Sequence, residues 1–271
     1  SQLVQILSLS IMSSIWITSL LAVSLTNRFV TSTTTRQPNF IFVITDDQDV
    51  MLDSVQATPA VLERIGLGGI TMENAFASSP VCCASRTETL AGRTFHNIEA
   101  TKLGETSCQH AAAHYTLYDN SNSLFQKFNS NGYLTGAFGK VVNNVNDYWC
   151  DGNEVSGFDR IHISCQYDDF YGLEYYNKDV NDNIGTKVTH TLSADVYQTT
   201  MMSEAAVQFV DDRMEEQYNS APDTAKPFII WLGPYAPHTS ATPAEHYAEE
   251  FDTLTLLQTP NYNQVCPDHH A

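Results

Sequence analysis

A cysteine stands four residues before an arginine in Val81-Cys82-Cys83-Ala84-Ser85-Arg86-Thr87-Glu88-Thr89-Leu90-Ala91-Gly92-Arg93. The stretch predicts a helix that opens at the cysteines. A thiol at that point lies near the positive end of the helix dipole, where free backbone N–H groups meet an anion. Arg86, one turn on, is expected to turn its guanidinium to the same anion in a bidentate way. The stretch therefore reads as a nucleophile and an oxyanion clamp in one turn of chain. Asp46-Asp47 supplies adjacent carboxylates, which repel unless a cation sits between them. For an isolated pair the plainer reading is an Asx turn. Lys140 follows Gly139, and His238 follows Gly233-Pro234-Tyr235-Ala236-Pro237. Alone, Lys140 is a snorkelling surface lysine and His238 a structural histidine; as the third chemical group at the third strand end, His238 is read as a general acid.

Those strand ends come from three apolar runs. Asn39-Phe40-Ile41-Phe42-Val43-Ile44-Thr45 is nearly continuous and β-branched, as a strand buried on both faces of a parallel sheet reads. Tyr133-Leu134-Thr135-Gly136-Ala137-Phe138 and Lys226-Pro227-Phe228-Ile229-Ile230-Trp231-Leu232 are the second and third. In open α/β sheets ligands sit at the carboxyl ends of such strands, which is where Asp46, Lys140 and His238 fall. Between them, Thr58-Pro59 opens a helix that Gly66, Gly68 and Gly69 close. Residues 121–130 form an amphipathic helix ended by Asn131-Gly132. Residues 197–218 form a long helix with Met201, Ala205, Ala206, Phe209 and Val210 expected on its buried face. Ile70–Phe76 is expected as a short strand, and 145–183 as a long surface excursion. The fold class is α/β, a sandwich with a large, mostly parallel mixed sheet flanked by helices.

The chain has 271 residues, 42% hydrophobic and 11% aromatic, which suits a folded core rather than disorder. With 31 Asp+Glu against 13 Lys+Arg, the net charge of -18 argues against nucleic acid as a partner. Residues 1–30 are mostly apolar, interrupted by Ser, Thr and Gln and uncharged up to Arg28, and read as a secretory signal or a signal anchor, the one route to a membrane. Residues 31–37 read as a polar linker, and 38–271 as the catalytic domain. Of 6 cysteines, Cys82 and Cys83 are poorly placed to bond each other. Cys108, Cys150, Cys165 and Cys266 are disulfide candidates in a secreted protein, in a pairing that spacing does not fix.

Pro38–Gln48, Thr58-Pro59, Cys82–Arg93, Gly139-Lys140 and Ala236-Pro237-His238 together resemble the type I sulfatases in order and spacing. The flavour is that of N-acetylglucosamine 6-sulfatases, extracellular endosulfatases and algal-type arylsulfatases. The resemblance implies an alkaline-phosphatase-like fold. It implies that Cys82 is converted to Cα-formylglycine by a formylglycine-generating enzyme, and that the hydrated aldehyde attacks the sulfate sulfur. Asp46 and Asp47, with the modified Cys82, would bind a divalent cation, usually Ca²⁺. Arg86 would orient and stabilise the modified residue, Lys140 would bind sulfate, and His238 would support protonation of the leaving alcohol. His96 and Asn143 (or Asn144) are substrate-side candidates. Ala84 stands where the pattern usually has Pro, and Ala91 where Thr is usual. The family's second pair of metal ligands, and its small C-terminal domain, are expected beyond residue 271.

The resulting function is hydrolysis of sulfate esters of a carbohydrate or aryl alcohol, in the secretory pathway: extracellular, lysosomal or membrane-anchored. Two other readings are carried: phosphodiester or phosphonate hydrolysis on the same fold, and an inactive secreted carbohydrate-binding protein with Cys82 left as a thiol. Parallel assays on an aryl sulfate and an aryl phosphate separate the enzymes, and the state of Cys82 separates both from the binding protein.

Overall fold

The computed structural model describes residues 4–9, 36–49, 54–97, 123–143, 149–152, 157–165, 170–171, 174–180, 182, 184–189, 196–221, 224–250, 252–253, 255, 258 and 260. Its centre is a 7-stranded sheet. In chain order the strands are β1 (Val4–Leu9), β2 (Asn39–Ile44), β3 (Leu134–Gly139), β4 (Arg160–Ser164), β5 (Glu174–Lys178), β6 (Thr186–Thr189) and β7 (Phe228–Gly233). They lie in the order β1-β2-β7-β3-β4-β5-β6. The middle of the sheet is parallel: β2 pairs with β7, β7 with β3, and β3 with β4. The outer pairings, β1 with β2, β4 with β5 and β5 with β6, are antiparallel. The three apolar runs of the sequence thus lie side by side as β2, β7 and β3.

Alternation along these strands divides the core between two faces. Ala137, Ile229 and Trp231 point to one face with Phe42, Ile44, Ile161 and Ile163. There they meet Cys83 and Leu90 of helix α2 (Cys82–Ala91) and Phe125 of helix α3 (Leu124–Ser130). Leu134, Phe138, Phe228 and Ile230 point the other way, onto Met202, Ala206 and Phe209 of helix α4 (Gln198–Asn219). A sheet covered on both faces is what continuous apolar strands require.

Helix α3 ends at Ser130 as expected but begins at Leu124 rather than at residue 121, because the Ser123 hydroxyl accepts from the Gln126 N–H and caps it there. The segment after Thr58 is one α turn, Pro59–Val61, that widens into a π turn over Leu62–Gly66. Thr58 does not cap it with its side chain, because its hydroxyl donates to the Val55 carbonyl at 2.7 Å.

Three expectations need correction. Ile70–Phe76 is not a strand, and Ile70, Met72 and Phe76 are exposed. On α4 it is Met202, not Met201, that enters the core, while Ala205 and Val210 pack at its edge. The stretch 145–183 is not a surface excursion, since β4 and β5 extend the main sheet from within it. Ile161 and Ile163 bury on one face, and Tyr175 and Tyr176 are buried beside them. Lys178 hid the strand, being a charge in a buried position; its Nζ donates to the Phe158 carbonyl at 2.7 Å. Burial lowers its pKa, against the opposing pull of Asp159, Asp182 and Asp179.

Of the stretch read as a signal or anchor, Val4–Leu9 forms β1, and residues 10–35 lie outside the described residues, as do Cys108, Asn144 and Cys266. Among the described residues no helix is long and apolar enough to cross a membrane. Cys150 and Cys165 form a disulfide. Cys83, outside the expected set of candidates, is also disulfide-bonded, and Cys82 is the free thiol among the described residues.

Candidate active site

Helix α2 starts at Cys82, with Val81 as an extended N-cap that makes no side-chain cap bond. The first-turn N–H groups of the helix are thereby left to other partners, as the sequence anticipates. Cys82 is half-buried. The Asn143 amide nitrogen approaches its sulfur at 3.5 Å. The other end of that amide, Asn143 Oδ1, is buried and has no hydrogen-bond partner among the described residues.

Arg86 and Asp46 are fully buried, and Lys140 nearly so. Lys140 Nζ donates to Asp46 Oδ2 at 2.6 Å, and Arg86 Nη2 approaches Asp46 Oδ1 at 3.4 Å. Arg86 Nη1 donates to the Lys140 carbonyl at 2.6 Å, and Nη2 also lies 3.4 Å from the Ile44 carbonyl. The Lys140 carbonyl accepts a further bond, at 2.9 Å, from the indole N–H of Trp231. One guanidinium thereby ties the ends of β2 and β3 to α2. This differs from the expected clamp: both outer nitrogens of Arg86 are committed inside the protein, and only Nε is without a partner among the described residues. Burial pulls the Arg86 pKa down, while Asp46, Cys82 and Tyr235 pull it up. The cluster sets two cations against one buried carboxylate, a local excess of positive charge in a molecule of net charge -18.

Glycine permits this convergence. Gly139 has φ 82, in the left-handed region, and a Cβ there would collide with Met202 Sδ and the Gly233 carbonyl. A Cβ on Gly233 would in turn collide with the Lys140 carbonyl. The two glycines face each other in register at the ends of β3 and β7, and the Lys140 N–H donates to the Gly233 carbonyl at 2.7 Å. Past β7, Tyr235 is buried with its ring 5.2 Å from Lys140 Nζ. Trp231, Gly233 and Tyr235 frame the site and were not singled out from the sequence. Their shared position at a strand end beside Lys140 is the signal that was there to be read.

Asp47 follows with φ 59 and an exposed side chain. Its carboxylate lies 3.6 Å from His238 Nε2, and His238 Nδ1 contacts the Thr239 carbonyl at 2.7 Å. The carbonyl accepts only, so Nδ1 carries the proton and Nε2 faces Asp47. His96 lies in the 3-10 turn Phe95–Asn97, with no hydrogen bond or ion pair among the described residues to Cys82, Arg86 or Lys140.

Asp46, Asp47 and Asn143 Oδ1 are hard oxygen donors of the type a divalent cation selects, with the two Asp46 oxygens already facing Arg86 and Lys140. They fit part of such a site. No group of three or more His, Cys, Asp or Glu side chains placed to hold a metal occurs among the described residues.

A family model described as Sulfatase matches residues 38–264. The chain belongs to the sulfatase family. Membership implies a metal and a formylglycine in general. This sulfatase-family chain is 29% identical over 237 residues to an extracellular sulfatase SULF-1 homolog of Drosophila melanogaster, covering 85% of this chain and 19% of that protein. It is 27% identical over 246 residues to human N-acetylglucosamine-6-sulfatase, covering 84% and 39% of the two chains. An arylsulfatase of Volvox carteri is 29% identical over 209 residues, covering 76% and 29%. The chain therefore spans less than half the length of these curated relatives. Its α/β sheet is consistent with the alkaline-phosphatase-like fold of sulfatases.

Proposed function

We propose that the chain carries the nucleophile-bearing half of a sulfuric ester hydrolase, with Cys82 converted to formylglycine. The observation that carries this reading is the convergence of Cys82, Arg86, Lys140 and Asp46 at the strand ends. Formylglycine supplies a hydrated aldehyde oxygen as nucleophile toward sulfur, and a divalent cation, Ca²⁺ by ligand type, supplies Lewis acidity. Asp46, Asp47 and residue 82 would hold that cation. Lys140 and Arg86 place positive charge beneath the sulfuryl oxygens, in a water-poor setting where it acts strongly. Arg86 does so through a fixed frame, its guanidinium locked by the Lys140 and Ile44 carbonyls. His238, with its Nδ1–H oriented by the Thr239 carbonyl and its Nε2 toward Asp47, would hand a proton to the departing alcohol from Nε2 only after Nε2 has itself taken one up as the imidazolium. Asn143 steadies residue 82, and His96 is kept as a substrate-side candidate.

The substrate class is a sulfated carbohydrate or aryl sulfate, in line with relatives named for N-acetylglucosamine 6-sulfate and aryl esters. A sulfate ester is favoured over a phosphodiester because the named relatives are sulfatases. Entry to the secretory pathway is supported by the Cys150–Cys165 disulfide and by relatives named extracellular. The test is a parallel assay of aryl sulfate and aryl phosphate, with and without chelator. Chelator-sensitive sulfate release supports the reading; phosphate release alone would replace it.

A further inference from the structure

The segment that enters the Cys82 helix is poorly anchored by its own backbone. Residues 68–80 hold no helix or strand, only isolated turns, and Ile70, Met72 and Phe76 face solvent. Two side-chain contacts hold its end. Ser78 Oγ donates to Glu88 Oε2 at 2.6 Å, and Ser79 Oγ donates to Glu88 Oε1 at 3.1 Å. The same Oε1 accepts the backbone N–H of Phe95, on the segment that leaves the helix. Phe95 opens the turn that carries His96, just after Gly92 ends α2 with φ 63.

We propose that Glu88 is a positioning residue, a clasp that closes the chain entering the Cys82 helix onto the chain leaving it. One carboxylate receives three donors from two segments that otherwise share no hydrogen bond among the described residues. Bonds to an ionised acceptor are roughly twice as strong as neutral ones, so a carboxylate suits the task. The clasp sets how the chain approaches Cys82 at the start of the helix and how it leaves toward His96 past the helix end. Its bearing on a substrate rests on the sulfatase reading; the clasp itself does not.

The test uses the full chain in its thiol form, made in a host without the maturing enzyme. Hydrogen exchange of the Phe95 amide and the alkylation rate of Cys82 are measured in wild type, Glu88→Ala and Glu88→Gln. Glu88→Ala is expected to speed Phe95 exchange by about tenfold or more, and to speed Cys82 alkylation. Glu88→Gln is expected to restore much of both, because its oxygen still accepts and the serine hydroxyls can accept from its amide. A Ser78→Ala, Ser79→Ala double variant, which leaves α2 intact, is expected to speed alkylation while Phe95 stays protected. Unchanged exchange and alkylation in folded Glu88→Ala, or unchanged alkylation in the double variant should Glu88→Ala not fold, would overturn the clasp. Mass analysis of residue 82 in maturing cells is a separate readout, so absence of formylglycine sinks the enzymatic reading and leaves the clasp standing.

Discussion

Asp46 holds two cations that the fold has removed from water, so its loss is expected to matter more than that of a surface acid. Asp46→Asn should destabilise the chain by about 3–5 kcal/mol, the usual consequence of leaving a buried charge unpaired. Denaturant unfolding measures it, and a change under about 1 kcal/mol would mean the pair is not the anchor described. Glu88 gives a pH signature. Burial pushes its carboxyl up, but the bonds from Ser78, Phe95 and Ser79, with His96 nearby, outweigh this and hold it below the usual value. A depressed carboxyl adds stability that is present above the unfolded value of about 4.3 and is lost as pH falls through the lower folded value. The acid limb of the stability profile should therefore flatten in Glu88→Gln.

At the scale of elements, the ends of β3 and β7 approach so closely that side chains are excluded. Gly233→Ala is expected to cost about 1–3 kcal/mol and to displace Lys140, with thermal unfolding and the Trp231 fluorescence environment as readouts. The Cys150–Cys165 bridge closes a separation of 15 residues just before and along β4. Cys150→Ser with Cys165→Ser should cost about 2–4 kcal/mol in chemical denaturation. The three parallel strands were legible because each is a nearly continuous apolar run with no charged residue inside it. β4 and β5 were not, because Lys178 and the tyrosines break the apolar run while being buried all the same. Ile70–Phe76 misled in the opposite direction, since its alternation has no partner strand among the described residues.

At the scale of the molecule, charge opposes one kind of substrate. With a net charge of -18, the whole-protein field repels polyanions even though the site itself is cationic. Turnover of a long, densely sulfated polysaccharide is expected to rise with added salt as repulsion is screened, whereas that of a small aryl sulfate should change little. A salt response shared by both substrates would place the effect elsewhere. The clustering of four residues was legible, in that the sequence put Asp46, Cys82, Arg86 and Lys140 on strand ends and a helix start, and the fold brings them close to one another. What the sequence did not reveal is how Arg86 is used, because its bonds go to backbone carbonyls that no side-chain pattern marks.

The chemical state of residue 82 decides whether this chain can carry the proposed chemistry, and mass spectrometry of the peptide carrying Cys82, from a host that contains the maturing enzyme, tests it most directly. Formylglycine at position 82 is the predicted result, despite Ala84 following two residues later. Unmodified thiol throughout that peptide would contradict it.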